Sequence, residues 1–330
     1  MGPREASYNY DSIHRHHKRT PYASNTFPKE SYSWECSDQG LFYYGEPRHP
    51  TGNASASTYW SVFTNPINPF AQSGFNGTCQ FPQITRQGLD DSWQHGADLY
   101  SVYHDLLGFI PDNLSNKVIY RVSNNVITSQ VAGMVIQAMY APASDVPLHI
   151  QPSGTDSLEP SYPCPAASSL YSSYGVGSSA TNWTAHLNAT KPLFDALDAS
   201  LQASAASYGV FLAELADHIR SAVAGKSAVL YRHNVAHDGS LARLLSILQV
   251  EQMVWVGMGS EVVFEIYKNA HGKHFIRILW GGQVLRSSSP SLGANDGAVD
   301  MLDLDVFLAY VDGLVGYRAS KIVGLCASVK

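Results

Sequence analysis

Along this chain, short runs of β-forming residues are each followed by a stretch in which apolar residues recur every three or four positions. Residues 7–13 (SYNYDSI) and 117–122 (KVIYRV) read as strands, and 128–140 as the helix after the second. Residues 226–231 (KSAVLY) read as a buried strand, with a helix over 240–250. Leu89, Trp93, Ala97, Tyr100, Tyr103 and Leu107 predict a helix over 85–108. Residues 183–222 form an Ala/Leu-rich helical stretch, as one helix or two. Residues 262–267 and 275–280 predict paired strands joined by a turn at 269–273, and 302–315 a closing helix. Strands alternating with helices predict an α/β fold, a sheet with helices on its faces.

Two stretches break the pattern. Residues 22–80 are rich in Gly, Pro, Asn, Ser and aromatics without helical period, and 141–180 are rich in Pro, Ser and Gly. The chain therefore reads as one domain, 1–330. Its core is 7–21, 81–140 and 221–330, and two insertions, about 22–80 and 141–220, form a cap.

Only 15% of residues are charged and the net charge is −6, so no basic field exists to hold nucleic acid or an anionic membrane. Apolar runs such as 131–140 are too short to span a bilayer. The expected partner is a small molecule, and nothing in the sequence sets an oligomeric state. The 19 tyrosines, many in Ser-rich contexts, suit the walls of a cleft.

Cys36, Cys79, Cys164 and Cys326 include no CxxC pair, which excludes a zinc ribbon or a thioredoxin motif. Four such cysteines leave three disulfide connectivities open. Glycosylation acceptor patterns stand at Asn53, Asn76, Asn113, Asn182 and Asn188. Acceptors, an even cysteine count and little lysine point to an oxidising, secreted setting. The opening residues MGPREAS carry no apolar leader segment, so a signal peptide is expected to be removed or to lie upstream.

The chemistry concentrates in two places. Arg15-His16-His17-Lys18-Arg19-Thr20-Pro21 follows the first strand and sets two guanidinium groups four residues apart around an imidazole. Guanidinium forks suit phosphate, and a neutral imidazole between them can attack a phosphorus atom. His237-Asp238 stands between the strand at 226–231 and the next helix. Asp238 serves there either as the helix N-cap or as a proton carrier beside His237. Arg121, at the end of another strand, would join them at one edge of a parallel sheet.

These residues resemble the histidine acid phosphatase branch of the histidine phosphatase superfamily. RHHKRTP is similar to its R-H-G-x-R-x-P signature, and AHDGSLARLL to its His-Asp segment. ITRQG (84–88), FIP (109–111), YRVS (120–123) and GSEVVFEIY (259–267) match in the same order. The resemblance implies a phosphoglycerate mutase-like three-layer sandwich around a central, mostly parallel sheet. It also implies a secreted phosphomonoesterase that passes through a phosphohistidine. His16 would be the nucleophile. Arg15, Arg19, Arg121 and His237 would hold the phosphoryl oxygens, and Asp238 would protonate the leaving group. Neither a metal nor another cofactor is implied. With the family pattern in hand, the expected disulfides are Cys36–Cys79 and Cys164–Cys326.

Two departures stand out. His17 replaces the motif glycine, and Asn124-Asn125 follow where a second arginine is usual. His17 is thus a candidate modifier of the pocket. Lys29 and Arg48 are the cations of 22–80, and Lys191 that of 141–219. Phytate would need many more, so the expected substrate is a monophosphate with an apolar or aromatic body. The competing reading is the same scaffold reused by an isomerase, cyclase or other hydrolase of secondary metabolism. A metal site built from His14, His16, His17, His233, His237 and Asp238 is not expected, because the pair His233/His237 straddles a strand end rather than lying on one helix face. A non-catalytic binding protein would have no need of the intact Arg15/His16/Arg19/His237/Asp238 set.

Overall fold

The structure is a computed structural model and describes residues 6–20, 33–34, 43–45, 58–59, 67, 76–77, 83–142, 144–174, 190–292 and 297–327. In chain order the strands are β1 (Ala6–Arg15), β2 (Ser33–Trp34), β3 (Tyr43–Gly45), β4 (Thr58–Tyr59), β5 (Asn76–Gly77), β6 (Val118–Val122), β7 (Tyr231–Ala236), β8 (Glu261–Lys268), β9 (His274–Trp280), β10 (Gln283–Val284) and β11 (Leu302–Asp303). The helices are α1 (Arg86–Tyr100), α2 (Val126–Tyr140), α3 (Pro165–Tyr174), α4 (Thr190–Val223), α5 (Asp238–Ile247), α6 (Leu304–Val315) and α7 (Ile322–Ala327).

The main sheet runs β10-β9-β8-β1-β7-β6, with β11 also on β9. The half that carries the expected site, β1, β7 and β6, is parallel, while β8 to β11 pair antiparallel. One face packs Ile13, Phe264, Ile266 and Ile276 against Leu212, Leu215 and Ile219 of α4, Leu241 and Leu244 of α5 and Phe307 of α6. The other packs Tyr10, Val118, Val122 and Val235 against Leu89 and Leu99 of α1 and Ile127, Val131 and Val135 of α2. This is the expected α/β three-layer sandwich. From Ala203 onward α4 belongs to this core, although the sequence division groups it with the cap up to 220.

The strand expected at 226–231 forms instead at Tyr231–Ala236. β7 lies between β1 and β6, yet it is polar, which an apolar-run criterion misses. Its polar groups are satisfied inside. Asn234 Nδ2 donates to Asp11 Oδ1 (2.8 Å) and to the Ser12 carbonyl (2.6 Å). The helix expected over 85–108 is α1 followed by one π-helical stretch, Ser101–Leu106. His237, not Asp238, is the N-cap of α5. Among the described residues no helix is long and apolar enough to cross a membrane.

Cys164 and Cys326 form a disulfide, joining the start of α3 to α7 as expected. Cys36 and Cys79 lie outside the described residues, as do Asn53, Asn182 and Asn188. Asn113 is exposed in the loop before β6, and Asn76 begins β5.

The segment after β1 is pinned to the start of α1. Thr20 N–H donates to the Gln83 carbonyl (2.8 Å) and Thr85 N–H to the Lys18 carbonyl (3.1 Å). Gly88 sits so close that a Cβ there would lie 2.1 Å from the Lys18 oxygen. Gly88→Ala is therefore expected to destabilise the protein by about 1–3 kcal/mol through overpacking. Chemical denaturation measures this, and a loss below about 0.5 kcal/mol would show that the turn moves aside freely.

Candidate active site

The parallel register of β1 and β7 sets Arg15 opposite Ala236. The residues that follow both strands, His16 on one side and His237-Asp238 on the other, emerge side by side at the carboxyl edge of the sheet. His16 N–H donates to the Ala236 carbonyl (3.1 Å), which ties the two turns together. The imidazole rings of His16 and His237 lie 5.3 Å apart between centroids.

His16 Nδ1 lies 2.9 Å from the His17 carbonyl oxygen, to which it can only donate. Its Nε2 then carries the lone pair and accepts from Arg19 Nε (3.4 Å). Burial pushes the His16 imidazole down to about 3, so the ring is neutral near neutral pH. Arg15 donates to the Val256 carbonyl and pairs with Asp238 Oδ2 at 3.0 Å. Asp238 Oδ1 accepts from the Gly239 N–H (2.8 Å).

A cavity of about 590 Å³ opens in front of these groups. His16, Arg19, His237 and Asp238 line it, with Gly239 and Ser240 at the N-terminus of α5. Asn125, the N-cap of α2, lines it too. Two helix N-termini thus add partial positive charge to one wall, which favours an anion.

Arg121 does not join this set. Its guanidinium donates to Glu214 Oε2 (2.8 Å), Gln151 Oε1 (2.8 Å), Ser157 Oγ (2.8 Å) and Asp156 Oδ1 (3.1 Å). Two carboxylates and two polar side chains hold the cation expected to hold phosphate, and Arg121 is not among the residues that line the cavity. Asn125 stands on the cavity wall near the position where a further arginine was looked for. His17 is likewise not on the cavity wall. Its ring turns to the back of the segment and lies over Gly259, where a Cβ would come within 2.6 Å of it. It therefore does not narrow the pocket.

Sequence reasoning missed three charged lining residues. Arg243, two turns into α5, adds a cation. Asp156 and Glu159 add carboxylates. Glu159 Oε2 lies 3.3 Å from His237 Nε2, which also meets Ser123 Oγ at 2.9 Å. The hydrogen bond from His237 holds the Glu159 carboxyl below its usual range. Arg243 had a signal, its place in AHDGSLARLL on the helix that opens at Asp238. The two acids lie in a loop without periodicity and had none.

Removing Arg121 would leave Asp156 and Glu214 as uncompensated, largely buried charges. Arg121→Ala is expected to cost about 3 kcal/mol of stability in urea denaturation. Restoration of part of that loss by Glu214→Gln in the same chain is the second expected outcome, and an unchanged stability would disprove the ion-pair role.

No protein-family model and no curated protein matches the chain. Solved structures do. The phytase of Klebsiella sp. ASR1 aligns over 99% of this chain and 98% of its own, at 15% identity and a TM-score of 0.53. Hafnia alvei phytase in complex with myo-inositol hexakis sulphate aligns over 96% and 98%, at 12% identity and 0.56. The phytase of D. castellii aligns over 98% of this chain and 82% of its own, at 11% identity and 0.52. Over nearly its whole length, the chain has the fold of these phytases, an α/β fold of the kind its sequence leads one to expect.

Proposed function

We propose that this chain is a phosphoric monoester hydrolase working through a phosphohistidine on His16. One observation carries the reading. A buried, neutral imidazole turns its unprotonated Nε2 toward the cavity, where it accepts from Arg19 at 3.4 Å and has the His237 ring beside it. His16 Nε2 attacks phosphorus while the ester P–O bond breaks, and the leaving oxygen takes a proton from Asp238, which first takes that proton up from solvent or from the monoanionic ester. Water, giving its proton to Asp238, then cleaves the N–P bond and releases phosphate. Arg15 aims Asp238 through their ion pair. Arg19, His237, Arg243 and the N-termini of α2 and α5 offset the phosphoryl charge.

The cavity favours a singly phosphorylated substrate. Arg19 and Arg243 on its wall face Asp156, Glu159 and Asp238, so a hexakisphosphate would meet more acid than base. Of the aromatic residues of 22–80 that suggested an apolar or aromatic body, Trp34, Tyr43, Tyr44 and Tyr59 fall in short strands and the others lie outside the described residues. Secretion is part of the proposal and rests on the acceptor patterns and the Cys164–Cys326 bridge.

A second reading has its own observation. Glu159 stands at His237 Nε2 and Arg121 is held by carboxylates, which disfavours a dianion. The same scaffold would then act on an uncharged or cationic substrate as an isomerase, cyclase or other hydrolase. Paired esters separate the two. His16→Ala is expected to lower hydrolysis of both p-nitrophenyl phosphate and an alkyl phosphate at least about a thousandfold. Asp238→Asn is expected to spare the first-turnover burst of p-nitrophenolate, a leaving group that needs no proton, and to slow both that burst step for the alkyl ester and the later cleavage of the N–P bond for both. Glu159→Gln is expected to raise kcat/KM for both. Wild-type protein that cleaves neither ester and forms no acid-labile phosphoprotein would overturn the hydrolase reading.

A further inference from the structure

Behind the His16 turn, on the side away from the cavity, a second cluster is built from four elements. His14 comes from β1, His17 from the turn after it, His95 from α1 and His233 from β7. His14, His17 and His95 each offer one ligand atom, and these three atoms lie within 4.8 Å of one another. His14 is 0% exposed and His17 8%. The Nε2 atoms of both are buried without a hydrogen-bond partner among the described residues. Burial of a polar ring nitrogen with no partner is unfavourable unless something binds it.

The surroundings prepare the lone pairs. His233 Nδ1 lies 3.1 Å from the Tyr231 hydroxyl and 3.2 Å from Ser12 Oγ, and its Nε2 is 3.3 Å from His14 Nδ1. With the Nδ1 proton of His233 given to those hydroxyls, its Nε2 accepts from His14 Nδ1. The Nε2 of His14 is then left bare, the arrangement found when a histidine binds a metal through one nitrogen and is oriented through the other. Glu261 adds a buried carboxylate, its Oε2 at 3.4 Å from His95 Nε2 and its Oε1 accepting from the Tyr10 hydroxyl (3.1 Å). His17 Nε2 is likewise buried without a hydrogen-bond partner among the described residues. The fold also makes room for that ring, because Gly259 places no Cβ where the ring lies.

We propose that His14, His17 and His95 bind a divalent first-row transition metal ion, zinc by preference, with Glu261 or water as the fourth ligand. Three imidazoles and one oxygen donor suit zinc in tetrahedral geometry. An ion bonded at about 2.0–2.1 Å would draw the nitrogens to about 3.4 Å apart, a contraction within reach of side-chain rotation. Its effect is positional. Holding the His17 ring holds the His17 carbonyl that receives the Nδ1 proton of His16, and so fixes which nitrogen of His16 faces the cavity. His95 is the ligand that a search along the catalytic motifs passes over.

The test uses the full chain with any affinity tag removed, loaded with zinc chloride and dialysed. Elemental analysis is expected to find about one zinc per chain. Removal by dipicolinate should lower the Tm, and re-addition of zinc should restore it. X-ray absorption on the zinc-loaded wild type, which needs no variant, should show three imidazole nitrogens. His17→Asn and His95→Asn, confirmed folded by circular dichroism, should each weaken zinc at least about tenfold. His104→Asn, at a half-buried histidine between Asp105 and Asp112, should not. Less than about a tenth of an equivalent on folded wild type overturns the proposal. So does a spectrum with fewer than two imidazoles, or zinc lost with His104 and kept without His17 and His95. Metal content reads out whatever reaction His16 performs, so failure here and failure of the hydrolase reading are distinguishable.

Discussion

The register of two parallel strands is the constraint from which the site follows. Arg15 ends β1 opposite Ala236 at the end of β7, and the next residue on each chain is a histidine. A shift of one residue would turn every side chain of one strand to the other face of the sheet. Ile13 would then leave one core and Tyr10 the other, so both apolar layers oppose the shift. The geometry of His16 and His237 is thus held by packing well away from either ring.

The segment between the two motifs shows how the remaining freedom is removed. Lys18 offers its carbonyl to Thr85, and Thr20 exchanges hydrogen bonds with Gln83. Lys18 and Thr20, the third and fifth residues after β1, are thereby tied to the entry of α1, and Thr85 caps that helix by accepting from the Gly88 N–H. One short stretch, ITRQG, caps a helix and clamps a loop together, which explains why it is recognisable alongside RHHKRTP.

Much of this was legible in the sequence because it is local. β6, β8, β9, α2 and α6 follow from periodicity, and the residues after β1 and β7 follow from motifs. β7 itself was displaced because a strand buried between two others can be polar when its side chains pair with the next strand, as Asn234 does with Asp11. Arg121 could not be read correctly from YRVS. Its fate is decided by Glu214 on α4 and by Asp156 in a loop, 93 and 35 residues away in the chain. Glu159 was invisible for the same reason: its partner, His237, is supplied by the fold.

The pairing of His17 with Gly259 carries a consequence for substitution. Gly259 has φ +74°, a backbone state that disfavours any side chain, so the turn before β8 calls for glycine whatever lies opposite. The same missing side chain leaves the volume that the His17 ring fills. A histidine at position 17 is therefore accommodated without any change across the turn. Once there, it makes position 259 doubly intolerant of substitution, by backbone and by contact. Any substitution of Gly259 made while the imidazole is present therefore meets both obstacles at once.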